Sequence, residues 1–73
     1  MMDDKIKYIL KKDYICSMGK INEGREFNYF RGILYLDGVM VVEPYATEIK
    51  KLFDDDNFVK EYIKQERFIE NKV

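Results

Sequence analysis

Few side chains in this sequence could act as nucleophiles, general bases or metal ligands. The 73 residues include no histidine and a single cysteine, Cys16. Without histidine the usual general base near neutral pH is missing, and neither a Ser/His/Asp nor a Cys/His nucleophile system can form within one chain. One cysteine can form neither an internal disulfide nor, without histidine, a zinc site. Cys16 lies in the apolar stretch 14–18, which favours a buried, unreactive thiol.

Carboxylates are the remaining candidates for chemistry. Asp54, Asp55 and Asp56 are consecutive, but they lack the alternating ligand spacing, the glycine and the distal glutamate of a calcium-binding EF-hand loop. Aspartates here favour capping of a helix N-terminus. Paired carboxylates of the glycosidase type need a cleft that so short a chain rarely provides, and the four glycines form no phosphate-binding motif. The sequence therefore predicts a protein that is not an enzyme and binds neither metal nor cofactor.

Length and composition indicate one folded domain over residues 1–73. Hydrophobic residues make up 47% of the chain, with six tyrosines and five phenylalanines, which is enough for one small core. The net charge of −1 and a pI of about 5.4 are not typical of nucleic-acid-binding proteins. There is no apolar run of membrane length and no signal-peptide pattern, so we expect a cytoplasmic protein without membrane contact. The excess of Ile, Lys and Asn suggests an AT-rich gene of a low-GC bacterium or its phage.

The strongest local signal is a β-hairpin. Asp37 and Gly38 separate the apolar runs 33–36 and 39–42, and this dipeptide favours a two-residue type I′ turn. Upstream, the pattern predicts that residues 25–31 extend the first hairpin strand, with Gly32 as a bulge. A turn over 22–24 would join it to a strand over 14–21. Residues 5–11 fit either a strand or a helix.

The hydrophobic period changes after Pro44 and becomes helical. Apolar residues recur at helical spacing through Ile63 and Ile69, with the aspartate run 54–56 as an interruption. The prediction is an α+β fold that is strand-rich over 5–43 and helical over 46–70. An antiparallel meander of three to four strands, flat or curled, precedes one or two C-terminal helices.

Both faces of the predicted hairpin are apolar. Pairing across the turn places Leu34, Leu36, Val39 and Val41 on one face and Ile33, Tyr35, Met40 and Val42 on the other. The helices can cover only one face, so the second must be covered by barrel closure, a second subunit or a binding partner. If no bulge changes the phase, this second face continues upstream. The candidate contact face then consists of Phe27, Tyr29, Arg31, Tyr35 and Met40.

Aromatic, Met and Arg residues are enriched at the centres of protein interfaces. The sequence therefore favours a non-enzymatic protein-interaction module, such as a phage or mobile-element regulator or inhibitor, with a protein partner or a second copy on this face. Barrel closure, with no functional meaning, is the alternative structural interpretation. The alternative function is single-stranded nucleic-acid binding by the aromatic and basic residues of the same strand, Arg25, Phe27, Tyr29, Arg31 and Tyr35, beside Lys5, Lys7 and Lys11.

Overall fold

The computed structural model describes residues 3–67 and confirms the α+β class. The elements in chain order are β1 (Ile6–Leu10), β2 (Tyr14–Cys16), β3 (Gly19–Ile21), β4 (Glu26–Phe30), β5 (Ile33–Leu36), β6 (Val39–Met40), α1 (Tyr45–Phe53), α2 (Asp56–Tyr62) and β7 (Ile63–Arg67). Five strands form one antiparallel sheet in the order β6-β5-β4-β1-β7, and β2 pairs with β3 in a separate hairpin. The main sheet is thus larger than the three to four strands predicted.

The first segment, which fitted either a strand or a helix, is strand β1. Its side chains alternate, with Tyr8 and Leu10 buried on one face and Lys7 and Ile9 on the other. The strand lies inside the sheet, where Tyr8 pairs with Phe27 of β4 on one side and Leu10 pairs with Ile63 of β7 on the other. Two neighbouring strands therefore fix this segment in the extended conformation.

Two tight turns build the meander β4-β5-β6. The Asp37-Gly38 turn is confirmed, since both residues have positive φ, 50° and 81°, and Leu36 pairs with Val39 across it. The predicted continuation of one strand through Arg31, with Gly32 as a bulge, is wrong. Arg31 and Gly32 also have positive φ, 51° and 80°, and they form a second two-residue turn that pairs Phe30 with Ile33.

The predicted single strand over 14–21 is also wrong. It is divided into β2 and β3 by a turn at Ser17 and Met18, and Cys16 pairs with Gly19 across that turn. Gly19, the first residue of β3, has a φ of 97°, which lies outside the extended region, so the backbone changes direction at this residue. The chain therefore reverses here and forms a hairpin outside the main sheet.

The helical prediction over 46–70 is correct only in its first part. Helices α1 and α2 meet at the aspartate run, where the Asp55 carboxylate accepts hydrogen bonds from the backbone N–H groups of Asn57 and Phe58, which confirms the capping role. Residues 63–67 form strand β7 instead, because β1 offers a free edge to which all five residues pair. Residues 68–70, including Ile69, lie outside the described residues.

The core lies between one face of the sheet and helix α1, and we call this side of the sheet the core face. Phe53 of α1 makes edge-to-face contacts with Tyr8 and Phe27, at centroid distances of 4.9 and 5.7 Å. Each such aromatic pair contributes about 0.5–1.5 kcal/mol beyond its area burial. The buried residues are Tyr8, Leu10, Ile21, Phe27, Leu34, Ala46, Ile49, Phe53 and Ile63. The helices thus cover one side of the sheet.

Candidate functional site: the outer face of the sheet

The outer face of the sheet, opposite the core face, carries two rows of side chains that cross strands β4, β5 and β6. In one row Asn28 pairs with Tyr35, which pairs with Met40. In the next row Phe30 pairs with Ile33. The Val41 N–H donates to the carbonyl oxygen of Leu34 at 2.9 Å, so the β5-β6 register continues beyond β6 and places Val42 beside Ile33. We call the apolar members of these rows the outer patch: Phe30, Ile33, Tyr35, Met40 and Val42.

Most of the outer patch is exposed. The exposed fractions are 48% for Phe30, 38% for Ile33, 54% for Met40 and 55% for Val42, and Tyr35 is half-buried. Leu34, which lies between Ile33 and Tyr35 and points to the core face, is only 1% exposed. Strand β5 is therefore covered on one face and open on the other, so its continuous apolar sequence does not reflect burial on both sides.

The outer face is charged where it crosses β1 and β7. Lys7 pairs with Glu66 across these strands, and Ile9 lies between Glu26 and Lys64. The amino group of Lys64 lies 3.9 Å from the Glu66 carboxylate. The face thus changes from charged at one side of the sheet to apolar at the other, and the apolar side ends at the open edge strand β6.

Two cations lie at the border of the outer patch. The Arg31 guanidinium is 5.1 Å from the centre of the Phe30 ring, a cation–π distance. The Lys50 amino group donates to the carbonyl oxygen of Gly32 at 3.2 Å and lies 5.3 Å from the Tyr29 ring on the core face. An apolar centre with charged groups at its margin is the usual composition of a protein interface.

The turn that begins β6 is held by an ion pair. Arg25 Nε lies 2.6 Å from Asp37 Oδ2, and the backbone N–H of Glu26 donates to Asp37 Oδ1 at 3.0 Å. The hydrogen bond from the Glu26 backbone, together with the Arg25 guanidinium, holds the pKa of the Asp37 carboxyl below its ordinary value. These bonds fix the hairpin end and so position β6 at the sheet edge.

Only part of the predicted contact face is on the outer face. Tyr35 and Met40 are there, as a directly opposed pair. Phe27 is in the core at 2% exposure, Tyr29 is on the core face, and Arg31 is in the turn. The reason is the turn at Arg31 and Gly32, which makes β4 an antiparallel neighbour of β5, so that Asn28 and Phe30 share the face of Tyr35.

Phe30 was missed as a contact residue, although the sequence contains a signal for it. Arg31 and Gly32 separate two apolar runs by two residues and end in glycine, as Asp37 and Gly38 do six residues later. Interpreting both dipeptides as hairpin turns would have placed Phe30 opposite Ile33. Arginine is a rarer residue at a positive-φ position than aspartate, which weakened that signal.

The residues selected for the nucleic-acid alternative do not form a common surface. Phe27 is buried, Tyr29 is on the core face and Arg25 bonds Asp37. Lys11 donates to the carbonyl oxygen of Lys60 at 2.7 Å. The stacking platform that single-strand binders require is therefore not assembled from these residues.

Cys16 and the aspartate run lie away from the outer patch. Cys16 is half-buried in the β2-β3 hairpin, with its Sγ 3.6 Å from the carbonyl oxygen of Gly19. Within residues 3–67 no three His, Cys, Asp or Glu side chains are grouped as a metal site would require. Over the same range, no helix has the length and apolar character needed to cross a membrane.

Comparisons with known proteins found no matching family model, no matching curated protein and no matching solved structure. Function is therefore inferred from the geometry of the outer face.

Proposed function

We propose that this chain is a non-enzymatic protein-interaction module that binds a protein partner through the outer patch. The observation that supports this most is the exposure of Phe30, Ile33, Met40 and Val42 together on one sheet face, while α1 covers the opposite face. Contiguous exposed apolar side chains bordered by charged groups mark interaction sites, whereas isolated ones are ordinary. The patch includes a phenylalanine, a tyrosine and a methionine, which are residue types enriched at interface centres.

The driving force for such binding is the burial of the patch. Removing apolar surface from water contributes about 25 cal/mol per Å². Binding also has a cost in translational and side-chain freedom, so the outcome depends on how well the partner fits the patch. The rows are built on β-strands within a paired sheet, so the backbone beneath these side chains is already ordered and adds little to that cost.

The proposed role is regulation or inhibition of the partner. A module that supplies contact surface without chemistry alters its partner by covering a site or by holding one conformation. An activity assay of the purified partner, with and without this chain, tests this role. A partner whose activity is unchanged by saturating amounts of the chain would contradict it.

The test of the interaction itself compares lysine substitutions at exposed apolar positions. Phe30→Lys and Ile33→Lys place a charge in the outer patch. Ile15→Lys is the matched control, since Ile15 is 77% exposed on β2, outside the main sheet. Each variant is immobilised and incubated with an extract of the organism that encodes the chain. Captured proteins are identified by mass spectrometry, remade in pure form and titrated calorimetrically against each variant.

We expect a partner that binds the wild type and Ile15→Lys equally and binds the two patch variants at least about tenfold more weakly. All variants should give the circular dichroism spectrum of the wild type, since the replaced side chains are exposed. A purified partner that binds Phe30→Lys and Ile33→Lys as tightly as wild type would contradict the proposal.

A further inference from the structure

The turn that joins β4 to β5 contains an arginine at a position that usually has a different residue. Both turn residues have positive φ, 51° at Arg31 and 80° at Gly32. Glycine, asparagine and aspartate are the usual residues at the first of these positions, because most other side chains are strained in the left-handed conformation. Asparagine would form the same turn with less strain. The requirements of the turn therefore do not explain the arginine.

The other turn of the meander has a residue whose presence is explained at the equivalent position. Asp37 has a φ of 50°, and its carboxylate bonds both the Arg25 side chain and the Glu26 backbone N–H. Arg31 has no such contact, since no ion pair and no side-chain hydrogen bond between residues 3 and 67 includes it. Strained backbone positions cluster at sites that contact a ligand. Arg31 is therefore a candidate for a contact with another molecule.

The Arg31 side chain lies at the margin of the outer patch. Arg31 is exposed, and its guanidinium is 5.1 Å from the centre of the Phe30 ring. Phe30 pairs with Ile33, so the guanidinium adjoins the row that continues to Val42. The N–H donors of a guanidinium lie in its plane, so a contact with an aromatic ring leaves them available for a carboxylate. The Phe30 ring thus orients the arginine without using its donors.

The charge at this margin of the patch is positive. The Lys50 amino group donates to the carbonyl oxygen of Gly32 in the same turn at 3.2 Å, and no ion pair in the described part of the chain includes Lys50. Glu43 follows Val42 at the other margin, and its carboxylate accepts a hydrogen bond from the Thr47 hydroxyl. A surface that covers the patch beside Arg31 therefore fits best if it is negative at this point.

We propose that the protein partner presents an aspartate or glutamate side chain to Arg31, beside the apolar side chains that cover the outer patch. This inference rests on the proposed function, because it names the chemistry of the partner that binds the same patch. The planar guanidinium matches a carboxylate through two parallel N–H···O bonds. The apolar contacts provide burial, and the carboxylate selects the partner and fixes its orientation. A partner with a cation at this point is disfavoured by like-charge repulsion.

A display selection with random peptides provides ligands of known sequence. The carboxyl end of each peptide is fused to the display protein, so the only carboxylates that the peptides offer are aspartate and glutamate side chains. One selection uses the immobilised wild type and a second uses Arg31→Asn, since asparagine suits the positive φ of the turn. Aspartate and glutamate should be enriched beside apolar residues in the wild-type pool. The pool selected on Arg31→Asn should lack this acidic enrichment.

Peptides from the wild-type pool are then synthesised with amidated carboxyl ends and titrated by fluorescence anisotropy. Arg31→Asn should bind them at least about tenfold more weakly than the wild type does, because it loses a charge-assisted bidentate contact. Lys51→Gln is the matched control, since it also removes one positive charge from an exposed side chain. Lys51 belongs to α1, which packs on the opposite face of the sheet, so this variant should bind as the wild type does.

Replacing the acidic residue of the peptide by the corresponding amide completes a double-mutant cycle. The amide peptide should bind the wild type at least about tenfold more weakly than the acidic peptide does, and the two peptides should bind Arg31→Asn with nearly equal affinity. Circular dichroism and the melting temperature check that each variant is folded. If Arg31→Asn does not fold, Arg31→Gly supplies the same loss of charge at a position that glycine also suits.

A wild-type pool without acidic enrichment would overturn the contact, and so would a selection that yields no binding peptide or a cycle without coupling. Peptides that lose affinity with Ile33→Lys but not with Arg31→Asn would overturn the contact and leave the proposed function in place. Peptides that bind Ile33→Lys as tightly as the wild type would contradict the outer patch as the binding surface, and with it both proposals.

Discussion

Truncation of two adjacent residues on β5, Leu34 and Ile33, measures how differently the two faces of the sheet are covered. Leu34→Ala removes three carbons from a side chain that is 1% exposed, at about 0.8 kcal/mol for each buried carbon, and leaves a cavity in the core. The expected loss in the free energy of unfolding is about 3.5 kcal/mol. The total free energy of unfolding of a chain of this length is on the order of 5 kcal/mol, so Leu34→Ala should remove most of it.

Ile33→Ala removes the same number of carbons from a side chain that is 38% exposed, and on the outer face it opens no closed cavity. Its expected cost is about 1.5 kcal/mol or less, including the lower β-propensity of alanine. Urea unfolding followed by far-ultraviolet circular dichroism, at low protein concentration, gives both values. Equal losses for the two variants would refute the assignment of an open outer face, because Ile33 would then be packed as tightly as Leu34.

Three further predictions concern the turns and the nucleic-acid alternative. Asp37→Asn keeps a residue suited to the turn but loses the charge beside Arg25; because this site is exposed and screened, the loss at pH 7 should be about 0.5–1 kcal/mol. Folding lowers the pKa of Asp37, so the stabilisation by its carboxylate is present above the ordinary pKa of an aspartate and is lost as pH falls through the lower pKa of the folded state. Urea titrations should therefore show the stabilities of the variant and the wild type converging as the pH falls below the ordinary pKa of an aspartate. Gly32→Ala has space for its Cβ, with the Tyr29 hydroxyl oxygen at 3.8 Å, but the φ of 80° should cost about 1 kcal/mol in urea unfolding, and an unchanged midpoint would contradict the turn. Fluorescence anisotropy with labelled single-stranded oligonucleotides should show no binding that weakens with salt, and a steep salt dependence would instead support the nucleic-acid alternative.

Local turn chemistry made part of the fold predictable. Asp37 and Gly38 specify a turn on their own, so the register of β5 and β6, and with it the pairing of Tyr35 with Met40, followed from the sequence. The aspartate cap before α2 was predictable for the same reason. In both cases the residues that decide the structure are neighbours in the chain.

Strand pairing between distant segments was not predictable. Ile63 continues a helical hydrophobic pattern, yet it begins β7 because β1, more than fifty residues earlier, offers a free edge. The residues near Ile63 in the sequence do not indicate that this edge is available for pairing. The position of Phe27 in the core similarly depends on the turn at Arg31, where an arginine occupies a conformation that favours glycine. Compared with a continuous strand, a two-residue turn at this position moves every earlier residue of the strand to the opposite face of the sheet.

Solvent accessibility of individual methyl groups by NMR tests the central claim most directly. A soluble paramagnetic agent is added to dilute, methyl-labelled protein, and the relaxation of Ile33, Met40 and Val42 is compared with that of Leu34. The outer patch should relax strongly in the free monomer and become protected when a partner or a second copy binds, while Leu34 stays protected throughout. Patch methyls as protected as Leu34 in the dilute monomer would contradict an open interaction face.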